Sequence, residues 1–470
     1  MSAMMLADMA SVAADKMSQD YHNATTLHPF GLASVVILAV WLLISQRKSA
    51  MLPFMILVCT IPSAQRVVIA GADFTLLRIM VVVGMARILL RGELAAIKFN
   101  RIDAAFILYA VVAWTVFVLK RQDMSAAVYS CGVLLDMAGA YLLARSLIKN
   151  MEDLRFFALS VSLLAIFVSL FFAIESATGR NIFSVFGGVP EVTAVRDGRL
   201  RCQGAFSHPI LAGVFWASMG AFLFGGALGS GHRVLFGIGT LCCIVIVVAS
   251  ASSTPVLGFA AGVAFWAWWP IRRYLKYAFL SAPLIIAALH SVMKQPVWHL
   301  VARVSAVGGS TGYHRFVLID AAIYHFPTWW LAGTESTLHW SDYRGGHWQT
   351  FDITNQYIVE GVCGGIWRLS LFLLLILLVG LAIGRGLRRT TNRSDQFLLW
   401  GLAASLFVHC VCFVGVSYFG QIKYLWYATL AIGASVASPE FFKAPSLAKR
   451  RKLLQPSFAR RPNRVAHASL

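Results

Sequence analysis

The chain has 470 residues, 59% of them hydrophobic and only 13% charged, where a soluble domain carries roughly 25% charged residues. With a mean hydropathy of +0.72 and apolar runs of about 20 residues along most of its length, it reads as an all-α integral membrane protein, which excludes a soluble globular enzyme. The formal net charge of +20 does not point to nucleic acid. The cations sit in short clusters between apolar runs (Arg47-Lys48; Arg87, Arg91, Lys98 and Arg101; Arg272, Arg273 and Lys276; Arg385, Arg388, Arg389 and Arg393) and in a tail from Lys443 to Arg464, as the positive-inside bias of cytoplasmic segments predicts.

A polar segment, 1–29, opens the chain; it has a single Lys and no small-residue cleavage site after an apolar core, so it does not resemble a cleaved signal. About thirteen helical spans follow, near 30–45, 51–64, 73–90, 102–119, 126–147, 154–175, 209–229, 233–251, 255–270, 276–293, 366–384, 396–416 and 419–438. The second is short and flanked by Pro53 and Pro62, so a re-entrant segment is the alternative, giving twelve. Placing the basic tail, 439–470, in the cytoplasm and alternating backwards puts loops 91–101, 146–153, 271–275 and 385–395 inside. The same scheme puts 176–208 and a large loop, 294–365, outside; the pair Lys120-Arg121 runs against it. The chain thus divides into transmembrane blocks 30–293 and 366–438 around one long insertion. Arg78, Asp136, Glu175 and Asp103 fall inside or at the edge of spans, where each needs a partner or a cavity, and Arg78 with Asp136 is the expected internal pair. The eight cysteines show no metal or redox spacing; Cys202 and Cys363 flank the presumed outer face, but spacing alone does not pair them.

Two outer-face motifs carry the chemistry. The first, Arg199-Leu-Arg201-Cys-Gln-Gly204-Ala-Phe206-Ser-His208-Pro209, lies just before the span starting near Pro209. Guanidinium groups beside a helix N-terminus suit an anion, and Gly204 would let a bulky ligand approach the backbone. Arg196, Arg199 and Arg201 together oppose the positive-inside bias, which favours function over simple snorkelling to headgroups. The second, from Gly308 to Pro327, opens with glycines and continues as a helical pattern with Arg315 in its first turn, where a bound anion or Asp320 must offset the unfavourable dipole. Five tryptophans in the long loop (Trp298, Trp329, Trp330, Trp340 and Trp348) suit an interfacial belt or sugar stacking. Its five histidines (His299, His314, His325, His339 and His347) have no metal-ligand spacing.

With the closing Asn355-Gln-Tyr357-Ile-Val-Glu360-Gly-Val-Cys-Gly-Gly365, these motifs resemble the O-antigen ligase/polymerase superfamily of bacterial inner membranes. In that family an Arg-x-x-Gly-x-Phe-like segment, matched by Arg201 to Phe206, precedes a mid-chain span. A second arginine, matched by Arg315, opens a helix of the large periplasmic loop, which ends in a His-Asn-x-Tyr-type motif followed by glycines. Here Thr354 stands where ligases commonly place His, which leans toward the polymerase branch.

The resemblance implies glycosyl transfer on the periplasmic face, without a metal or other cofactor, from a glycan on undecaprenyl diphosphate to a second glycan acceptor. Arg201, Arg315 and Arg199 would hold the diphosphate, and Asp352, then His347, would take the acceptor's proton. His208, His314, Asn355 and Tyr357 would position loop and sugar. Expected partners are the lipid-linked donor, the acceptor, membrane lipids and a chain-length regulator or flippase, with no nucleic acid. A repeat-unit polymerase for exopolysaccharide or O-antigen is the first expectation, and a ligase acting on lipid A-core the second. A transporter for a lipid-linked solute is the reading from another class, and it would rest on Arg78, Asp136 and Glu175.

Overall fold

The computed structural model describes residues 25–443 apart from 70, 96, 230, 304–311 and 346–352. Its helices are, in chain order, α1 (Pro29–Ile44), α2 (Met51–Thr60), α3 (Leu76–Leu90), α4 (Arg101–Arg121), α5 (Met124–Leu147), α6 (Met151–Thr178), α7 (Pro209–Gly229), α8 (Arg233–Ala249), α9 (Ser253–Ala267), α10 (Leu275–Val292), α11 (Gly312–Tyr324), α12 (Phe326–Trp329), α13 (Gln356–Arg389), α14 (Arg393–Cys412) and α15 (Ile422–Ala437). All thirteen apolar windows fold as helices, and α11 and α12 lie within the long loop. Among the described residues, seven helices (α4, α5, α6, α7, α10, α13 and α14) are long and apolar enough to cross a membrane, which makes the chain an all-α, multi-pass membrane protein. The remaining windows are helical but shorter. Among the described residues, sheet is confined to two hairpins, β1 (Arg66–Ile69) with β2 (Ala72–Thr75) and β3 (Val195–Arg196) with β4 (Arg199–Leu200).

Local chemistry sets the helix ends. Asn100 and Asp103 form a capping box at α4, Asp123 caps α5 and Asn150 caps α6, while Gly179 closes α6 in the left-handed conformation. The most buried helix, α7, lies against α8, α9 and α14. Small residues let it approach closely: a Cβ on Gly225 would fall 2.3 Å from the Phe397 carbonyl oxygen.

Polar contacts sort the connections into two ends of the bundle. At one end Arg47 binds Asp153, Arg155 binds Asp395, Lys98 reaches Glu440 at 2.6 Å and Arg145 reaches Asp103 at 3.1 Å. At the other, Ser63 meets Ser207 at 2.9 Å and the Gln356 amide donates to the Phe413 carbonyl at 2.8 Å. In the second window, the short helix α2 leads from the Arg47–Asp153 contact toward the Ser63–Ser207 contact. The Arg78 guanidinium donates to both oxygens of Asp136, at 3.1 and 2.7 Å, so that expected pair forms.

One boundary differs from the sequence reading. The long loop does not run to 365; its last ten residues are already helical, capped by Asn355, whose side chain accepts from the Ile358 amide at 3.2 Å. The helix breaks at Gly364 and at Gly365, which has φ +66°. Loop strand 330–334 docks into this break: the Ile366 amide donates to the Trp330 carbonyl at 2.7 Å, and the Thr334 amide to that of Val362 at 2.8 Å. A Cβ on Gly365 would lie 2.2 Å from the Leu331 carbonyl oxygen. Gly365→Ala is therefore expected to lower the melting temperature of the purified protein and expose 330–334 to protease. Gly384→Ala, where an added Cβ meets nothing within 4 Å, changes stability by no more than about 0.5 kcal/mol.

Candidate functional site

The approach to α7 is a rigid bracket. Strands β3 and β4 are joined by Asp197 (φ +50°) and Gly198 (φ +73°), a two-residue turn in which both residues take positive φ. Beyond β4 the chain is locked by Glu175, a buried carboxylate near the end of α6. It accepts from the Gln203 amide at 3.1 Å, the Gly204 amide at 2.9 Å and the Thr193 hydroxyl at 3.1 Å. Asn181 donates to the Gly204 carbonyl at 2.8 Å and Gln421 to the Ala205 carbonyl at 2.5 Å. Gly204 itself has φ +56°, and a Cβ there would strike the Phe172 ring at 2.7 Å. Its small size serves this packing, not the ligand approach expected from the sequence.

The bracket turns Arg201 toward the start of α9. Its Nη2 donates to the Ser252 hydroxyl at 2.9 Å. Arg315, on α11, reaches the same helix start from the long loop, its Nη2 donating to the Thr254 hydroxyl at 2.8 Å. Two arginines 114 residues apart (315 − 201) thus meet hydroxyls two residues apart. The Nε of each is buried without a hydrogen-bond partner, and neither has an acidic partner among the described residues. Asp320, expected as a counter-charge for Arg315, accepts instead from Trp298 at 3.1 Å and Tyr343 at 2.9 Å. Five residues along a helix is a rotation of about 140°, so it faces away from Arg315.

Burial depresses both guanidinium pKa values, and the charge of Arg196 depresses them further. Arg196 also acts on His208, whose pKa burial and the two arginines lower to about 4. Arg199, assigned to the diphosphate from the sequence, lies on β4 directly opposite Arg196 on β3, and both are exposed. Of the two, Arg196 is the one whose charge acts on Arg201, Arg315 and His208.

The other expected site residues fall in several places. His314 is next to Arg315 in the first turn of α11 and is partly buried. Asn355 caps α13 and donates to the Val414 carbonyl at 3.3 Å, while the Tyr357 hydroxyl donates to the Cys410 carbonyl at 2.9 Å. Both therefore use their side-chain polar groups to hold the loop's exit against α14. The Thr354 hydroxyl is buried without a partner. His347 and Asp352, the expected bases, lie outside the described residues, as does Trp348. Trp329 and Trp340 are buried in the loop's own core with Phe316 and Leu318, whereas Trp330 is exposed. All eight cysteines are free, Cys202 and Cys363 included. Among the described residues no three metal-ligating side chains converge.

The chain matches no family model and no curated protein.

Two outcomes test this arrangement. Removing the carboxylate in Glu175→Ala strands two backbone amides and a hydroxyl, so stability should fall by roughly 2–4 kcal/mol in thermal or denaturant unfolding. His208 is neutral in the folded state down to about pH 4, whereas the unfolded imidazole protonates near 6.5. The unfolded chain then binds more protons between those values, so His208 contributes stability above pH 6.5 that is lost as pH falls toward 4. Replacing His208 with Asn should flatten melting temperature against pH in that window and leave it unchanged in slope above pH 7.

Proposed function

We propose that the protein is a glycosyltransferase of the O-antigen ligase/polymerase kind, working at the outer face of a bacterial inner membrane on a lipid-diphosphate-linked glycan. The observation that carries this reading is the meeting of Arg201 and Arg315 at one helix start without a carboxylate. Buried cations are normally neutralised. Of the four arginines more than nine-tenths buried among the described residues, Arg66, Arg87 and Arg145 pair with Asp73, Glu93 and Asp103, and only Arg315 lacks an acid there. A site of this kind suits a ligand that brings the negative charge itself.

The chemistry follows from that charge. The acceptor hydroxyl oxygen attacks the anomeric carbon as the bond from that carbon to the diphosphate oxygen breaks. The departing electron pair remains on the diphosphate, where Arg201 and Arg315 stabilise it, and the hydroxyl proton passes to a base. Asp352 is the first candidate for that base and His347 the second. The long loop, held at Gly364–Gly365 and at α9, would position the acceptor for in-line attack. With Thr354 in place of a histidine, a polymerase joining repeat units is favoured over a ligase. The transporter reading is weaker, because Arg78 and Asp136 are paired with each other and Glu175 is held by the Arg201 bracket.

Lipid-linked and surface glycans from the native host should discriminate among these. Deletion, Arg201→Ala and Arg315→Ala are each expected to leave single repeat units, with product falling at least about a hundredfold. Long chains stranded on the lipid carrier would indicate a ligase, and wild-type profiles from both arginine variants would overturn the reading.

A further inference from the structure

We infer that the first turn of α9 is the third wall of the anion site, with Ser252 and Thr254 as the residues that aim Arg201 and Arg315, and that the ligand group held there is a diphosphate. This rests on the reading of the site given above and extends it to a helix that neither outer-face motif contains.

Four features support the assignment. Ser252 occupies the N-cap position of α9 but makes no side-chain cap; its hydroxyl donates to the Ser250 carbonyl at 3.0 Å and accepts from Arg201. Thr254, in the first turn, likewise gives its oxygen to Arg315 and not to the helix. The start of α9 therefore sets its positive dipole end beside two guanidinium groups, a combination suited to phosphate oxygens. Secondly, each guanidinium uses only Nη2 on its hydroxyl. A bidentate grip on a phosphate needs Nε beside it, and both Nε atoms are buried without partners.

Thirdly, the backbone is strained to produce this geometry. Ala251, between α8 and α9, has φ +42°, a conformation that a non-glycine residue adopts at some cost and that clusters at ligand sites. Fourthly, a glycine lets the chain after α14 pack directly against both groups. A Cβ on Gly415 would lie 2.8 Å from the Thr254 hydroxyl and 3.2 Å from Arg315 Nε, so a side chain there would displace them. A buried and a half-buried guanidinium, with the charge of Arg196 acting on both, match the two or more charges of a diphosphate better than a singly charged ion.

The test uses the full-length protein in detergent micelles with inorganic diphosphate as probe, read by calorimetry and by the ligand-induced rise in melting temperature. Wild type should bind diphosphate more tightly than inorganic phosphate, and Arg201→Gln and Arg315→Gln should lose it. Thr254→Val and Ser252→Ala should each lower the ligand-free melting temperature modestly and, beyond that, weaken diphosphate binding by the folded protein about tenfold, while Thr254→Ser retains binding and Gly415→Ala weakens it. If Thr254→Val, Ser252→Ala and Gly415→Ala bind as wild type while the arginine variants do not, the α9 wall is overturned and the diphosphate reading survives. If wild type shows no diphosphate-dependent stabilisation, the diphosphate assignment itself falls.

Discussion

A cation withdrawn from water into a lipid-embedded bundle must find a negative partner, and most of this architecture can be understood from how that requirement is met. Arg87 pairs locally with Glu93 just beyond its own helix, while Arg145 with Asp103 and Arg78 with Asp136 tie neighbouring helices together through a buried and a half-buried pair. Such pairs add little net stability, but breaking one leaves an uncompensated charge, so they fix which helices lie side by side. Arg201 and Arg315 stand apart from this pattern. They rest on hydroxyls, which accept a hydrogen bond but do not cancel a charge, and the site stays positive until something anionic arrives.

Keeping like charges close requires rigid support, and the supports are distributed over the whole outer end. Glu175 clamps the strand carrying Arg201, and Gln421 holds the same strand from the start of α15. The small core of Phe316, Leu318, Trp329 and Trp340 holds α11 and with it Arg315. The glycine break in α13 then fastens that core to a long apolar helix. Function at this end and stability of the bundle are therefore carried by overlapping residues, Glu175 being the clearest case.

Much of this was legible in the sequence. Apolar runs located all thirteen helical windows; opposition to the positive-inside bias marked Arg201, with Arg196 and Arg199, and a cation in the first turn of a helix marked Arg315. The start of α11 and its stop before Pro327 followed from glycine and proline chemistry. What escaped was whatever depends on long-range register. Nothing local distinguishes Arg196 from Arg199, which the Asp197-Gly198 turn sets opposite each other; only the folded positions of Arg201, Arg315 and His208 show that the charge of Arg196 reaches them. Ser252 and Thr254 look like ordinary small polar residues at a helix start, and only the approach of two distant arginines gives them another part. Gly204 read as room for a ligand because sequence cannot show Phe172 lying against it. The break at Gly364–Gly365 passed for the end of a loop because its partner, 330–334, is about thirty residues away.

The separation of the two arginines has a consequence for biogenesis. At about 5–20 residues per second, a ribosome needs roughly 6–23 s to travel from Arg201 to Arg315. By the end of that interval α6, the Glu175 clamp, α8 and the Ser252 turn have all been made, so Arg201 can be locked in place before Arg315 exists. The loop then brings Arg315 to a preformed surface, and its own small core, not attraction to the site, must hold it there. Order of synthesis thus separates in time two charges that the finished molecule keeps together.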